Sequence, residues 1–257
     1  MSAKRGVFLP PFDELVDPRT IVDLARRAEA SGWDGFFLWD HVNYTREGVV
    51  AVADAWIDLA AIAGATERIR LGPMVTPLSR RRIQKVARET VTLDRLSDGR
   101  LTFGVGLGVE GNGELEPFGE EVDPRKRAEL LDSGLDRLTA FWAGEFQPRP
   151  VQGPRIPVWV AGRWKSRRRP LERAARWNGF FPIGLPGPAA LARIGEEVAE
   201  LRGDAQGAFD LVVEIAPGDA AAPWEDAGAT WVLTSFDAPP VLREVETAID
   251  ACPQPQN

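Results

Sequence analysis

Apolar and polar positions alternate between two patterns along this 257-residue chain. Short runs rich in β-branched and aromatic residues, bounded by turn residues, are followed by longer stretches with apolar residues at helical spacing. The pattern occurs eight times. The predicted strands are Gly6–Phe12, Gly35–Asp40, Ile69–Thr76, Leu101–Gly108, Ile156–Gly162, Gly179–Gly184, Phe209–Ile215 and Thr230–Ser235. The predicted helices span about residues 18–31, 54–66, 80–96, 124–143, 166–177, 188–202, 221–228 and 239–251.

Two of these helices carry the same start signal. Asp17 precedes Pro18, and Asp123 precedes Pro124. Aspartate is a favoured N-cap, and proline is tolerated in the first turn because its missing N–H has no partner there. Gly144 ends the second of these helices.

Strands that alternate with helices form βαβ units, and such units give a parallel sheet. Eight units in about 250 residues match the closed barrel. The predicted fold is therefore α/β, a single (β/α)8 TIM barrel of parallel strands with short insertions over residues 1–257. An open doubly wound sheet is the alternative. That fold carries a glycine-rich fingerprint in its first turn, where this chain has Leu9-Pro10-Pro11-Phe12.

Composition narrows the chemistry. Cys252 is the only cysteine and His41 the only histidine, so a disulfide framework, a cysteine-rich zinc site and a multi-histidine metal centre are excluded. The net charge of −7 argues against a general nucleic-acid binder. No export signal and no apolar run near the roughly 18 residues of a membrane helix are found. The expectation is a cytoplasmic protein without a membrane partner.

In a barrel of this type the active site lies where the strands end, in the loops that follow them. His41 ends the second strand and is the only side chain whose unperturbed pKa lies near neutrality, which makes it the candidate acid/base. The preceding Asp40 is a candidate for orienting the imidazole or binding a ligand. A structural histidine and a simple loop cap are the competing interpretations.

Two further strand ends indicate a ligand. The fourth strand has glycines at 104, 106 and 108, which indicate either close approach of a ligand or tight packing. The fifth ends at Gly162 and Arg163, followed by Lys165 and a helix predicted to begin near Ser166. Positive charge beside a helix N-terminus predicts a phosphate site.

These segments resemble the bacterial luciferase-like monooxygenase superfamily over nearly the whole chain. The segments that carry the resemblance are residues 39–41 (WDH), 60–72 (AAIAGATERIRLG), 93–106 (LDRLSDGRLTFGVG) and 156–162 (IPVWVAG). Its members are (β/α)8 oxidoreductases that use a flavin or a deazaflavin.

The resemblance implies a cofactor, either FMN or the deazaflavin coenzyme F420, with its ring in the barrel mouth over the third strand. That strand ends Met74-Val75-Thr76, and a non-proline cis peptide is implied between Met74 and Val75. His41 matches a position that faces the flavin or the substrate in relatives. The cofactor phosphate is implied at Gly106, Gly108, Ala161, Gly162 and Arg163.

The chain also departs from the family. A pair of adjacent histidines, frequent in luciferase-type members, is excluded. Deazaflavin-dependent dehydrogenases tend to have a proton-donating glutamate just after the glycine strand, where this chain has Val109 and then Glu110. The acidic loop 110–123 contains Glu114, and it either lines the substrate entrance or is solvated.

The sequence therefore predicts a flavin- or deazaflavin-dependent oxidoreductase, a monooxygenase or a dehydrogenase, acting on a small organic substrate. A non-catalytic flavin-binding barrel subunit is an alternative, and a glycosidase-like barrel with Asp40 and Glu110 as paired carboxylates is another. Several tryptophans near strand ends suit a ligand pocket or a homodimer face. The short chain predicts a barrel with little lid over an open mouth.

Overall fold

The computed structural model describes residues 2–46, 48–203 and 207–251; Cys252 lies outside them. The strands are β1 (Lys4–Leu9), β2 (Gly35–Leu38), β3 (Arg70–Pro73), β4 (Thr76–Pro77), β5 (Phe103–Gly106), β6 (Val158–Arg163), β7 (Gly179–Ile183), β8 (Asp210–Ile215) and β9 (Trp231–Ser235). The helices are α1 (Pro18–Ser31), α2 (Ala55–Ala65), α3 (Ile83–Leu96), α4 (Pro124–Ala140), α5 (Arg168–Ala174), α6 (Pro188–Arg202), α7 (Ala222–Asp226) and α8 (Leu242–Asp250).

The strands form one parallel sheet in the order β3-β2-β1-β9-β8-β7-β6-β5-β4. The two end segments are halves of the same barrel strand, since only Met74 and Val75 separate them. Leu71 in β3 bridges Leu101 just before β5, and Thr76 in β4 pairs with Val105 in β5. The sheet therefore closes into an eight-stranded barrel, which confirms the predicted (β/α)8 fold.

The strand predicted at Ile69–Thr76 is broken by a cis peptide bond between Met74 and Val75, as the resemblance implied. The bulge packs against the glycines of β5. A Cβ on Gly104 would lie 2.3 Å from the Pro73 carbonyl oxygen, and one on Gly106 would lie 2.7 Å from Cγ2 of Val75. Both glycines are thus required by packing inside the barrel.

Alternation along the strands separates two apolar cores. Val213 of β8 faces the helices, whereas its neighbour Val212 belongs to the cluster inside the barrel. Trp159 and Trp231 stack edge to face in that inner cluster with their ring centres 5.3 Å apart. Aromatic rings fill the barrel below the strand ends, so the mouth lies at the C-terminal ends of the strands.

Local signals account for most element boundaries. The Asp17 and Asp123 carboxylates accept hydrogen bonds from the Arg19 and Arg125 amides, which confirms both predicted caps. The first strand ends at Leu9 rather than Phe12 because two prolines follow and cannot donate to the ladder. The fifth helix begins at Arg168, two residues later than predicted. In the described part of the chain, no helix is both long enough and apolar enough to cross a membrane.

Candidate functional site

The barrel mouth brings His41 together with a carboxylate on a distant loop. Nδ1 of His41 lies 3.0 Å from Oε2 of Glu114, and the two side chains are 14% and 1% exposed. Rings of Phe12, Trp39 and Tyr44 surround the imidazole at centroid distances of 5.2–5.9 Å. The imidazole is therefore held by one anionic contact within an aromatic wall.

The Glu114 carboxylate is fully engaged. Oε1 accepts a 2.7 Å hydrogen bond from the Val42 amide, and Oε2 accepts one of 2.9 Å from Nδ2 of Asn112. The Arg80 guanidinium lies 3.6 Å away. Burial acts to raise the pKa of Glu114, but the contact with His41, the Arg80 charge and the Asn112 amide together hold it below its usual value. Glu114 is thus ionised at neutral pH.

The loop between β5 and α4 delivers Glu114 to this position. It lies against the loop after β2, where the Thr45 amide donates to the Asn112 carbonyl and Nδ2 of Asn43 donates to the Gly113 carbonyl, both at 3.1 Å. Gly113 has a φ of +78°, and a Cβ there would lie 2.8 Å from the Thr45 side chain. The interpretation of this loop as wholly solvated is therefore wrong for Glu114, although Glu116 is exposed.

Asp40 is buried and binds side chains of neighbouring segments rather than the imidazole. Its carboxylate accepts hydrogen bonds from Oγ1 of Thr76 at 2.6 Å and Nε1 of Trp56 at 2.9 Å. Arg81 donates to both carboxylate oxygens, at 2.7 and 2.9 Å, and Arg80 donates to one at 3.2 Å. The expectation that Asp40 directly orients His41 is corrected: the orienting carboxylate is that of Glu114.

Asp40 is linked to His41 indirectly, through Arg80 and Glu114. The same guanidinium nitrogen that reaches Asp40 lies near Glu114, which contacts His41. Burial acts to raise the pKa of Asp40, but the charges of Arg81 and Arg80 and the hydrogen bonds from Thr76 and Trp56 hold it below its usual value. Asp40 therefore joins the end of β2 to β4, to α2 and to the turn before α3, behind the site.

Glu110 occupies a different environment. Its side chain is 59% exposed and forms an ion pair with the buried Arg127 on α4. Asp40 is buried between two arginines, so each carboxylate already has a cationic partner. This arrangement argues against the pairing of Asp40 with Glu110 that a glycosidase would need.

The bulge gathers four of the expected cofactor residues. Met74 and Val75 pack with Ala161 in the inner cluster, and the Cα of Gly106 lies beneath the Val75 side chain. The Thr76 hydroxyl is directed to Asp40 instead. Nε1 of Trp39 is buried without a hydrogen-bond partner among the described residues, so an acceptor on a bound ring would satisfy it. These features fit a flat heterocycle lying over the bulge.

The end of β6 differs from the expected phosphate loop in one respect. A Cβ on Gly162 would lie 2.3 Å from the Pro170 side chain, so this glycine serves the packing of α5. The exposed Arg163 and Lys165 form no ion pair with any described residue, whereas Arg167 pairs with Glu197. Nearby, Arg127 donates to the Leu107 and Gly108 carbonyls. Arg163 and Lys165 thus supply positive charge at this rim that is not paired within the described part of the chain.

The histidine, the broken third strand and the basic rim all lie at one mouth of the closed parallel barrel. The ligand site therefore lies at the C-terminal ends of the strands. The sequence profile of the luciferase-like monooxygenase family matches residues 4–237. The chain belongs to this family, which confirms the resemblance.

Relatives with curated descriptions match part of the chain. A Mycobacterium tuberculosis protein without an assigned activity is 32% identical over 187 residues, covering 60% of this chain and 64% of the relative. An F420-dependent glucose-6-phosphate dehydrogenase of Beutenbergia cavernae is 36% identical over 132 residues, covering 50% of this chain and 38% of the relative. The chain thus spans less than two thirds of the length of these relatives.

Solved structures share the fold. An F420-dependent secondary alcohol dehydrogenase bound to an F420–acetone adduct superposes with a TM-score of 0.78 at 17% identity, covering 97% of both chains. The FMN-bound oxygenating component of 3,6-diketocamphane monooxygenase from Pseudomonas putida superposes with a TM-score of 0.69 at 17% identity, covering 84% of this chain and 67% of that one.

Proposed function

We propose that this protein is an oxidoreductase that binds FMN or the deazaflavin coenzyme F420 in the barrel mouth and acts on a small organic substrate. The observation that carries the proposal is the His41–Glu114 pair beside the Met74–Val75 bulge, at the mouth of a barrel of this family. Relatives and structural neighbours that use F420 or FMN support both cofactors.

Residues of four strands would hold the cofactor. Val75, Gly106 and Ala161 present a flat apolar surface for the ring, and Nε1 of Trp39 offers it a donor. Arg163 would bind the phosphate at the rim. Gly162 precedes it on β6, and Gly108 follows the neighbouring strand β5, so both backbones would lie near the phosphate. When bound, the cofactor would supply the hydride or oxygen chemistry.

His41 would move the proton. Ionised Glu114 accepts a hydrogen bond from Nδ1–H, so Nε2 is the ring nitrogen left for the substrate. Glu114 also stabilises the imidazolium when Nε2 takes a proton. Asp40 would act one step further back, because it holds Arg80 and Thr76 in place.

The remaining expectations concern partners. A homodimer, the absence of nucleic-acid and membrane partners, and a cytoplasmic location all stay predictions. The rival proposal of a non-catalytic flavin-binding subunit differs in one testable respect, because replacing His41 would then leave the protein's cellular role intact.

Cofactor titration of the purified protein tests the proposal. Fluorescence and absorbance titrations with FMN and with F420 should show saturable binding of at least one of them. His41→Asn should keep that binding and lose turnover. Failure of the folded protein to bind either cofactor would contradict the proposal, and cofactor binding together with a cellular role that His41→Asn leaves intact would favour the non-catalytic subunit.

A further inference from the structure

A second carboxyl group faces the mouth from the far side of the barrel. Glu214 lies on β8, where Val212 belongs to the cluster inside the barrel and Val213 belongs to the core outside it. Because side chains alternate along a strand, Glu214 points inward, one layer nearer the mouth than Val212. It pairs in register with Leu233 of β9, another inner residue.

The strand order places Glu214 opposite the bulge. β8 is the middle member of the order that begins at β3 and ends at β4. Four strand steps separate it from the broken strand in each direction, so the two are diametrically opposed. A ligand that lies over Val75 therefore presents its outer face toward Glu214.

Aromatic rings line the floor between Glu214 and His41. Phe8, which pairs in register with Ser235 of β9, contacts both Phe181 and Trp39 at ring-centre distances of 5.7 and 5.8 Å. Trp39 in turn lies 5.8 Å from the His41 ring. The floor offers an apolar surface to the body of a substrate and two polar groups, Glu214 and His41, at its edges.

Glu214 is half-buried and has no cationic partner. No ion pair among the described residues involves it, and the neighbour that hydrogen-bonds it is the Ser235 hydroxyl. Burial raises the pKa of Glu214 more than this hydrogen bond lowers it. Arg80 and Arg81, across the mouth, are already bound to Asp40. The exposed Arg163 and Lys165 at the end of β6 are assigned to the cofactor phosphate.

We propose that Glu214 is a specificity residue that hydrogen-bonds the hydroxyl or carbonyl oxygen of an uncharged, largely apolar substrate. This inference rests on the proposed function, since it places the substrate between the cofactor and β8. A carboxylic acid donates to a carbonyl oxygen, and a carboxylate accepts from a hydroxyl. As a carboxylate, Glu214 repels a phosphate or carboxylate on the substrate, so sugar phosphates are disfavoured.

The test uses the cofactor-loaded protein and two probes of similar shape, cyclohexanone and methylenecyclohexane. Calorimetric titration should show that the wild type binds the ketone more tightly than the hydrocarbon, and more tightly than glucose 6-phosphate. Glu214→Met keeps the side-chain length but removes the hydrogen bond, and should lower the ketone affinity about tenfold. Glu214→Gln keeps a donor and should retain the preference to within about threefold. Glu200→Met, an exposed change on α6, is the matched control.

Each outcome bears on the proposal. A wild-type protein that does not prefer the ketone, or a Glu214→Met variant that keeps the preference, overturns it. Glu214→Gln separates the lost hydrogen bond from a folding defect, because its shape is unchanged. Cofactor titration of every variant is run alongside. If the cofactor binds but Glu214 is without effect, the specificity role fails alone; if the wild type binds neither FMN nor F420, both proposals fail.

Discussion

Nδ1 of His41 and Oε2 of Glu114 lie 3.0 Å apart at the barrel mouth. The same carboxylate also accepts a hydrogen bond from the Val42 amide, 72 positions earlier in the chain. The contact selects which imidazole nitrogen is free, because the ionised carboxylate accepts a hydrogen bond from Nδ1–H.

Glu114→Gln should therefore reduce turnover by about 10²-fold while cofactor affinity stays within about twofold, since a positioned acid/base contributes factors of this size. Steady-state rates with a substrate of the wild type, together with cofactor titrations, measure the two effects. Glu116→Gln on the exposed part of the same loop is the control and should behave as the wild type. Equal losses in both variants would show that loop integrity, rather than the His41 contact, matters.

Asp40→Asn should act mainly on stability. The change leaves Arg80 and Arg81 buried beside a neutral amide, and breaking a buried ion pair on one side costs about 3–5 kcal/mol. Denaturant unfolding at pH 7 measures the loss, with the exposed Asp226→Asn as a control. Because the folded pKa of Asp40 is lowered from 3.8, its contribution is present above that pH and is lost as the pH falls further. A deficit that stays constant down to acid pH would contradict this account.

The eight strand–helix units could be predicted from the sequence because each one buries an apolar stripe. The spacing of apolar residues in that stripe does not depend on the conformation of the loops. His41 could be located for a similar reason, as a strand end in a parallel barrel always reaches the mouth. The contact of Glu114 with His41 could not be predicted, because the position of Glu114 depends on the backbone of the loop, including Gly113 at positive φ. The available signal was the pair of glycines at 111 and 113 just before the acid.

Glu214 lies within the predicted strand Phe209–Ile215, and membership of a strand does not by itself indicate a functional residue. A single acid in the apolar run Leu211-Val212-Val213-Glu214-Ile215 is a signal, because a buried strand carries a charged residue only where something engages it. Asp40 illustrates the opposite error. Sequence adjacency suggested a contact with His41, whereas both residues lie beyond the end of β2 at Leu38. The Asp40 carboxylate there is bound by Thr76, Trp56, Arg80 and Arg81.

Gly104→Ala tests the packing under the bulge. The added Cβ would lie 2.3 Å from the Pro73 carbonyl oxygen and 2.6 Å from the Met74 sulfur, so the bulge must move. Overpacking of this kind costs about 1–3 kcal/mol, and cofactor affinity should fall with it. Gly195→Ala in α6, where the nearest atom is 3.5 Å away, is the control and should be neutral or stabilising. Thermal unfolding and cofactor titration together decide, and unchanged affinity in Gly104→Ala would separate the bulge from the cofactor site.

Arg163→Gln combined with Lys165→Gln should weaken cofactor binding about tenfold at low salt. Neither cation has an ion-pair partner among the described residues, so both are free to meet a phosphate. The difference from the wild type should shrink as salt is added, because exposed charges are screened over about 10 Å at 0.1 M. Arg168→Gln removes a cation that pairs with Glu172 and should change the affinity little. Dissociation constants measured across a salt series would contradict the assignment if the double variant and Arg168→Gln had equal effects.

Asp58→Asn should flatten the dependence of stability on pH. Asp58 is 1% exposed on α2, and neither of its carboxylate oxygens has a hydrogen-bond partner within the described chain. Burial, together with the negative charges of Asp54 and Asp17, raises its pKa from 3.8 to about 7. The folded state therefore holds this proton more tightly than the unfolded state, and stability falls as the pH rises from about 4 to about 7. A shift of this size corresponds to about 4 kcal/mol across that window.

Unfolding free energies of wild type and Asp58→Asn should diverge with pH in favour of the variant, whereas Asp23→Asn on the exposed face of α1 should keep the wild-type slope. Parallel curves for Asp58→Asn and the wild type would show that the carboxyl titrates alike in both states.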